Sequence, residues 1–332
     1  MKTAIFSFVR LSENSMVASI RIARFLAKKL GVQTYDYKNI HEIEGKRLDL
    51  LIIVNGAYGF CQCLPELAAL VKSARRIVWV QNDYTIIPPK IESKGVSPFR
   101  AAFRERHEAG KPHMDFWTTC EDWARFTPAS LYVNWNALTF DESYSQKKIV
   151  NWRTKATEDL LYYGSYRGGS GKSSRERYFD RYFREPLVKT TISSPAKQFH
   201  ERYTSDKIVH VDALKNDFYR DIGVHGLGLY IEDRMSHERF HSPANRFYEM
   251  LSAGLPMVFQ PECGSMMRRA GYDPEPFFVS NVRDVKRSMD IREEIGPTQR
   301  RVWIGDDPGK FRRKLNEQID SAMQAQMDEV AA

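Results

Sequence analysis

No stretch of this 332-residue chain stays apolar for the roughly 20 residues that a bilayer-spanning helix requires, so no membrane contact is expected. The apolar part of the opening MKTAIFSFVR is too short for a signal-peptide core, and no small-residue cleavage site follows it. It reads instead as a first strand. Cysteine is scarce. Cys61, Cys63, Cys120 and Cys263 have neither the paired spacing of a zinc site nor the density of a disulfide framework, so the expectation is reduced thiols in a cytoplasmic protein. No internal repeat or low-complexity tract is visible, which excludes solenoids and disordered tails. Acidic residues are outnumbered, 42 against 50 Lys plus Arg, and the resulting net charge of +8 hints at a polyanionic partner.

Against these absences stands a regular alternation of strand and helix patterns. Thr3 to Val9, Val32 to Tyr37, Leu48 to Val54 and Arg76 to Val80 read as strands, with amphipathic helices over Ser15 to Leu30 and Pro65 to Ala74 between them. After a polar, basic stretch from Ile91 to Asp115, short strands return at Phe116 to Cys120 and Ser130 to Asn134. A second alternation begins at Leu160 to Tyr163 and continues through Val188 to Ile192, Ile208 to Val211, Leu227 to Ile231 and Pro256 to Gln260. Such alternation predicts α/β architecture with two parallel sheets, one in residues 1–150 and one in 156–305. The helical stretch 308–332 is expected to complete the first. Ligands of parallel sheets sit beyond the carboxyl ends of the strands, which directs attention to Glu13, to Asn55 to Phe60 and to Gln81 to Pro89.

The stretch YYGSYRGGSGKSSRERYF, from Tyr162, places a glycine-rich loop between a strand end and a helix that Ser173 or Ser174 can cap. Glycines let backbone N–H groups approach an anion, and the helix start adds unpaired donors and a positive dipole. Gly171-Lys172-Ser173 matches the end of a P-loop, but that pattern demands glycine at position 166, where Tyr166 stands. A phosphate cradle of another kind is the better reading. A second unit, HSPANRFYEMLSAGLPMVF from His241, has Ser242 as expected N-cap, Pro243 at the first turn and Gly254 at the C-cap. Arg246 and Glu249, three apart, share one face. They form either a surface ion pair or a grip on a diphosphate and a ribose.

A helix carrying R-x-x-E, followed by small residues, G-L-P and a strand, resembles the donor-nucleotide helix of GT-B glycosyltransferases. The succession LSEN, DLLIIVNGAYGF, QNDYTIIPP, YYGSYRGGSGKSSRE and NRFYEMLSAGLP is similar to the DNA β-glucosyltransferases of T-even bacteriophages, which move glucose from UDP-glucose to 5-hydroxymethylcytosine in duplex DNA. The resemblance implies two Rossmann-like domains facing a central cleft, with Asp83 as catalytic base and Glu13 near the sugar. It implies Ser165, Arg167 and Arg246 as diphosphate contacts, and Glu249 as the ribose ligand. Because the glycine loop is longer here than the family pattern, the second diphosphate cation is either Arg175 or Lys172. Family members use Mg or Mn, yet no D-x-D signature appears at a suitable strand end.

The expected reaction is inverting transfer, in which the base takes the proton of the acceptor hydroxyl while arginines stabilise the departing UDP. The basic insertion, with Lys90, Lys94, Arg100, Arg104, Arg106 and Lys111 among Phe99, Phe103 and Phe116, is read as the DNA contact of a monomeric enzyme. Its plain alternative is a solvated loop with a small local core. Two other functions stay open: a glycosyltransferase of the same architecture with a glycan, lipid or small-molecule acceptor, and a non-catalytic nucleic-acid-binding protein. Hydroxymethyluracil is as open as hydroxymethylcytosine for the acceptor base.

Overall fold

The computed structural model describes residues 2–331 except 9–17, 55–63, 82–104, 107, 112–113, 121–123, 126, 128, 142, 144–148, 150–152, 170, 172–173, 213 and 215–217. The chain forms two compact units. Met1–Leu138 with Arg312–Ala332 make the first, and Thr139–Phe311 the second.

In the first unit, strands β1 (Thr3–Ser7), β2 (Thr34–Tyr35), β3 (Leu50–Val54), β4 (Arg76–Gln81), β5 (Asp115–Thr118) and β6 (Leu131–Tyr132) form a parallel sheet in the order β2-β1-β3-β4-β5-β6. β3 and β4 are buried along their whole length, the expected signature of a parallel sheet covered on both faces. Alternate residues serve opposite layers. Leu51, Ile53, Ile77 and Trp79 pack with Leu67, Leu70 and Val71 of the helix Leu64–Ser73. Leu50, Ile52, Val78 and Val80 pack instead with Ile22 and Leu26 of Ala18–Leu30 and with Leu315, Ile319 and Ala322 of the C-terminal helix Lys310–Ala331. A buried polar seam pins that last helix. Arg76 pairs with Asp115 at 2.7 Å, and Gln326 accepts from Arg76 Nε at 2.9 Å and donates to Asp115 at 2.8 Å.

In the second unit, β7 (Asp159–Tyr163), β8 (Lys189–Ser193), β9 (Ile208–Val211), β10 (Leu227–Tyr230) and β11 (Met257–Phe259) form a parallel sheet ordered β11-β10-β7-β8-β9. The chain winds outward through β8 and β9, then returns to the other side of β7 for β10 and β11. The strand order therefore reverses between β7 and β10, whose carboxyl ends make the natural ligand crevice. Aromatic residues fill this unit: Tyr162, Phe179, Phe183 and Phe199 form one cluster, and Phe247, Phe259, Tyr272 and Trp303 another. The expected architecture, α/β with two parallel sheets, is the one observed.

The chain enters the second unit at Thr139, before residues 150–156, where the boundary was expected. Thr139 Oγ1 donates to the Asn245 carbonyl at 3.1 Å, Asp141 N donates to Ser252 Oγ at 2.9 Å, and Phe140 packs on Phe311 at 4.8 Å. Those contacts tie the segment to the second core. The helices Val282–Asp290 and Arg292–Trp303 had no sequence expectation. Pro297 inside the second of them disguised its periodicity, although buried Trp303 anchors it under Phe247.

Candidate functional site

β7 ends at Tyr163, and the chain turns through Gly164 at a φ of +146°, a region essentially restricted to glycine. A Cβ there would sit 2.1 Å from Arg246 Nη1, so the missing side chain also makes room for that guanidinium. Ser165 follows, then Tyr166, whose ring packs edge-on against Phe199 at 4.9 Å. The tyrosine that breaks the P-loop pattern therefore anchors the loop to the aromatic core. Arg167 has a φ of +43°, the left-handed region that non-glycine residues avoid at a cost of about 1 kcal/mol or more. Its carbonyl accepts from Arg175 N at 2.9 Å, closing the loop just before the helix Glu176–Phe183. Ser174 serves that helix start, its hydroxyl accepting from Glu176 N at 3.3 Å.

Three guanidinium groups from three places in the chain converge at the switch point. Arg167 Nη1 lies 3.0 Å from Asp233 Oδ2. Arg175 Nη2 lies 2.5 Å from Glu232 Oε2 and 3.7 Å from Asp233 Oδ2, while its Nη1 donates to Ser165 Oγ at 3.4 Å. Arg246, on the helix Asn245–Ala253, donates to the Tyr163 carbonyl at 3.2 Å, to the Ile231 carbonyl at 2.9 Å and to Glu232 Oε1. Both acids follow β10 directly, and Asp233 also caps the helix Arg234–Arg239 by accepting from Ser236 N at 2.9 Å.

Burial alone would raise the Glu232 carboxyl, yet Arg175 and Arg246 hold it below its ordinary value. Burial would likewise discharge Arg246, and Glu232 holds it charged. Isolated charges so deeply buried would cost several kcal/mol each, so the cluster exists only as a mutually compensated network. Three guanidiniums meet the carboxylates of Glu232 and Asp233 in it. Nε of Arg175 and Nε of Arg246 are buried without a hydrogen-bond partner. Glu249 sits one turn beyond Arg246 and accepts from the Tyr163 hydroxyl at 3.0 Å; burial, with Glu249 adding to it, pushes that phenol well above its usual range. Arg246 and Glu249 thus project toward the same strand end.

Of the expected donor contacts, Ser165, Arg167, Arg175 and Arg246 are brought together and Glu249 lies beside them. Lys172, Asp83, Glu13, Lys90, Lys94, Arg100 and Arg104 lie outside the described residues. One expectation for the basic insertion needs correcting, that for Arg106. Arg106 is only 3% exposed, and its guanidinium donates to the carbonyls of Val71, Ala74 and Arg75. Lys111 donates to the Lys72 carbonyl. Both cations close the C-terminus of Leu64–Ser73, where exposed carbonyls and the negative helix end attract them. Arg106 presents no free charge to a phosphate.

Ser242, too, is not the N-cap: Ala244 holds that position, and the helix begins at Asn245. Glu232 and Asp233 were missed. Scanning the residues just after each strand of the second sheet, as was done for the first, would have found them. Among the described residues no group of three His, Cys, Asp or Glu side chains could hold a metal ion, and the two carboxylates at the crevice are engaged by arginines, so the described site offers no fit for Mg or Mn. No helix among the described residues is long and apolar enough to cross a membrane.

No protein-family model matches the chain, and no curated protein matches it in sequence. Solved structures do. One, an alpha-glucosyltransferase in complex with UDP and a 13-mer DNA containing a HMU base, aligns over 100% of this chain and 99% of its own, with a TM-score of 0.56 at 12% identity. A second structure of such a complex aligns over 100% of both chains with a TM-score of 0.55 at 12% identity. The chain shares the fold of these GT-B glycosyltransferases.

Proposed function

We propose that the protein is a UDP-sugar-dependent glycosyltransferase that modifies duplex DNA, moving a sugar, glucose in our reading, onto the hydroxymethyl group of a 5-hydroxymethylpyrimidine. The observation that carries this reading is the convergence of Arg167, Arg175 and Arg246 at the strand-order reversal of the second sheet. It is supported by a fold shared with glucosyltransferases solved with UDP and DNA.

The chemistry follows from charge. As the bond between the anomeric carbon and the UDP oxygen breaks, negative charge grows on the diphosphate, and preorganised guanidiniums stabilise it without reorganising. Glu232 and Asp233 hold those guanidiniums in place before the donor arrives. A diphosphate entering beside Glu232 and Asp233 meets arginines that the network already holds charged and out of water. Glu249 is assigned to accept from ribose hydroxyls once the Tyr163 hydroxyl yields. Asp83 is assigned as the base that takes the acceptor proton, and Glu13 is assigned a contact with the sugar. Lys90, Lys94, Arg100, Arg104 and Lys111 supply phosphate contacts to the DNA, with Lys172 as a further cation at the donor. The charge of the leaving group is assigned to the arginines rather than to a metal.

The deciding experiment incubates the protein with UDP-sugars and duplex DNA containing either hydroxymethylated pyrimidine, then reads nucleoside masses. A hexose mass gain on one of them is expected, and no gain with any UDP-sugar on either base removes the DNA assignment. A gain on a glycan, lipid or small molecule instead moves the acceptor class and keeps the donor site. UDP-glucose is an α-glycoside, so a single displacement assisted by Asp83 gives a β-linked product. An α-linked product, the outcome named for the similar structures, would withdraw the base role from Asp83 and call for retention. Binding to DNA is expected to fall steeply with added salt, because each neutralised phosphate releases condensed counterions.

A further inference from the structure

At the opposite end of the second sheet lies a cavity of about 810 Å³, walled by residues of the second unit alone. It opens beside Gly254 and Pro256, at the amino end of β11, whereas Glu232 and Asp233 follow the carboxyl end of β10. Glycine and proline form much of the wall, which leaves room, and arginine provides its charge: Arg153, Arg292, Arg300 and Arg301. Three acids also line it, Asp141, Glu293 and Asp306.

Their pairing is uneven. Arg153 lies 3.8 Å from Glu293, and Arg292 lies 3.5 Å from Glu293 and 3.1 Å from Glu158. Arg300 donates to the Leu251 carbonyl at 2.9 Å and forms no ion pair with a described carboxylate; nor does Arg301, which is exposed. Burial lowers the Arg300 pKa with no carboxylate opposing it. Arg292, by contrast, is satisfied by acids, its Nε being the atom nearest Glu293. A half-buried guanidinium without a counter-ion, facing a cavity in the size range of small-molecule sites, lacks an anion.

We propose that this cavity is a second anion site that takes a small phosphate-bearing ligand of up to mononucleotide size, with Arg300 and Arg301 as its principal contacts. A phosphate oxygen pair suits the fork of a guanidinium, and the volume exceeds what a bare phosphate fills. Free nucleotide and free pyrophosphate share this chemistry. The proposal is independent of the donor site at the other end of the sheet.

Calorimetric titration of the full chain with AMP and with inorganic pyrophosphate tests it, alongside Arg300→Gln, Arg301→Gln and Arg167→Gly. With Arg167→Gly as the background, so that the donor site is weakened, sub-millimolar binding of at least one probe is expected to persist, lowered 10-fold or more by adding Arg301→Gln and further by adding Arg300→Gln. AMP alone identifies a nucleotide site, and pyrophosphate alone a phosphate site. Arg300 also holds the end of a helix, so if its variant misfolds, Arg301→Gln decides. No heat with either probe at millimolar concentration, or binding indifferent to both cavity variants, overturns the proposal. So does duplex DNA binding that Arg301→Gln weakens when neither small probe binds.

Discussion

Arg167 combines a backbone conformation that disfavours its side chain with a position where only a cation serves the proposed chemistry. That conflict separates stability from function. Replacing it with glycine removes the left-handed penalty, about 1 kcal/mol, and gives up a partly exposed pair with Asp233 worth no more than about 1 kcal/mol. The melting temperature of Arg167→Gly should therefore stay within a few degrees of the parent, while UDP affinity by titration should fall about 10-fold, equivalent to ~1.4 kcal/mol. Unchanged UDP affinity would remove Arg167 from the donor site. The neighbouring residues tell how legible this region was. Gly164 and Arg246 stand far apart in sequence, yet the glycine is required by the arginine that crosses it, a relation no local pattern contains. Arg106 misled for the converse reason: a cation amid cations reads as a phosphate contact until the chain brings a helix end against it.

At the level of elements, strand ends carry most of the meaning, and the two ends of β7 are used differently. Its carboxyl end opens the arginine crevice. Its amino end holds Asp159, a buried carboxylate that accepts from Thr191 Oγ1 at 2.7 Å and from Thr157, and lies 2.8 Å from His225 Nδ1. Burial would raise this carboxyl, but the bonds with His225, Thr157 and Thr191 bring it down to about 2 from an ordinary 3.8. A carboxyl depressed on folding stabilises the native state above its unfolded pKa and loses that contribution as pH falls through the folded one. Asp159 should then contribute about 2 kcal/mol at neutral pH, lost between roughly pH 4 and pH 2. Asp159→Asn should lower stability in urea melts at pH 7 and narrow its deficit toward pH 2. A deficit independent of pH would assign the loss to packing. Apolar runs made most strands readable, because strands covered on both faces leave little choice of residue. A scan of strand ends would have located the carboxylates after β10 but not their role, since an Asp or Glu past a strand is more often a turn or a cap, and Asp233 is indeed a cap as well.

The whole molecule is two cores on one chain, and the chain crosses between them at Leu138–Thr139 and again at Phe311–Arg312. The last helix was expected to complete the first sheet, but its charged pattern does not say what pins it there. The match is made by groups far away in sequence: Gln326 completes the Arg76–Asp115 pair, and Ile319 packs with the layer of Ile22, Leu26 and Val78. Ile319 is fully buried, so Ile319→Ala should cost about 2 to 4 kcal/mol through lost burial and the cavity left behind. If the units hold separate cores, that cost falls on the first alone. Hydrogen exchange should then quicken in β1, β3 and β4, while β7, β8 and β10 keep their protection and UDP affinity stays unchanged. Equal loss of protection in both sheets would mean that they unfold as a single cooperative body. The donor site's stability would then depend on a residue buried in the other sheet's core.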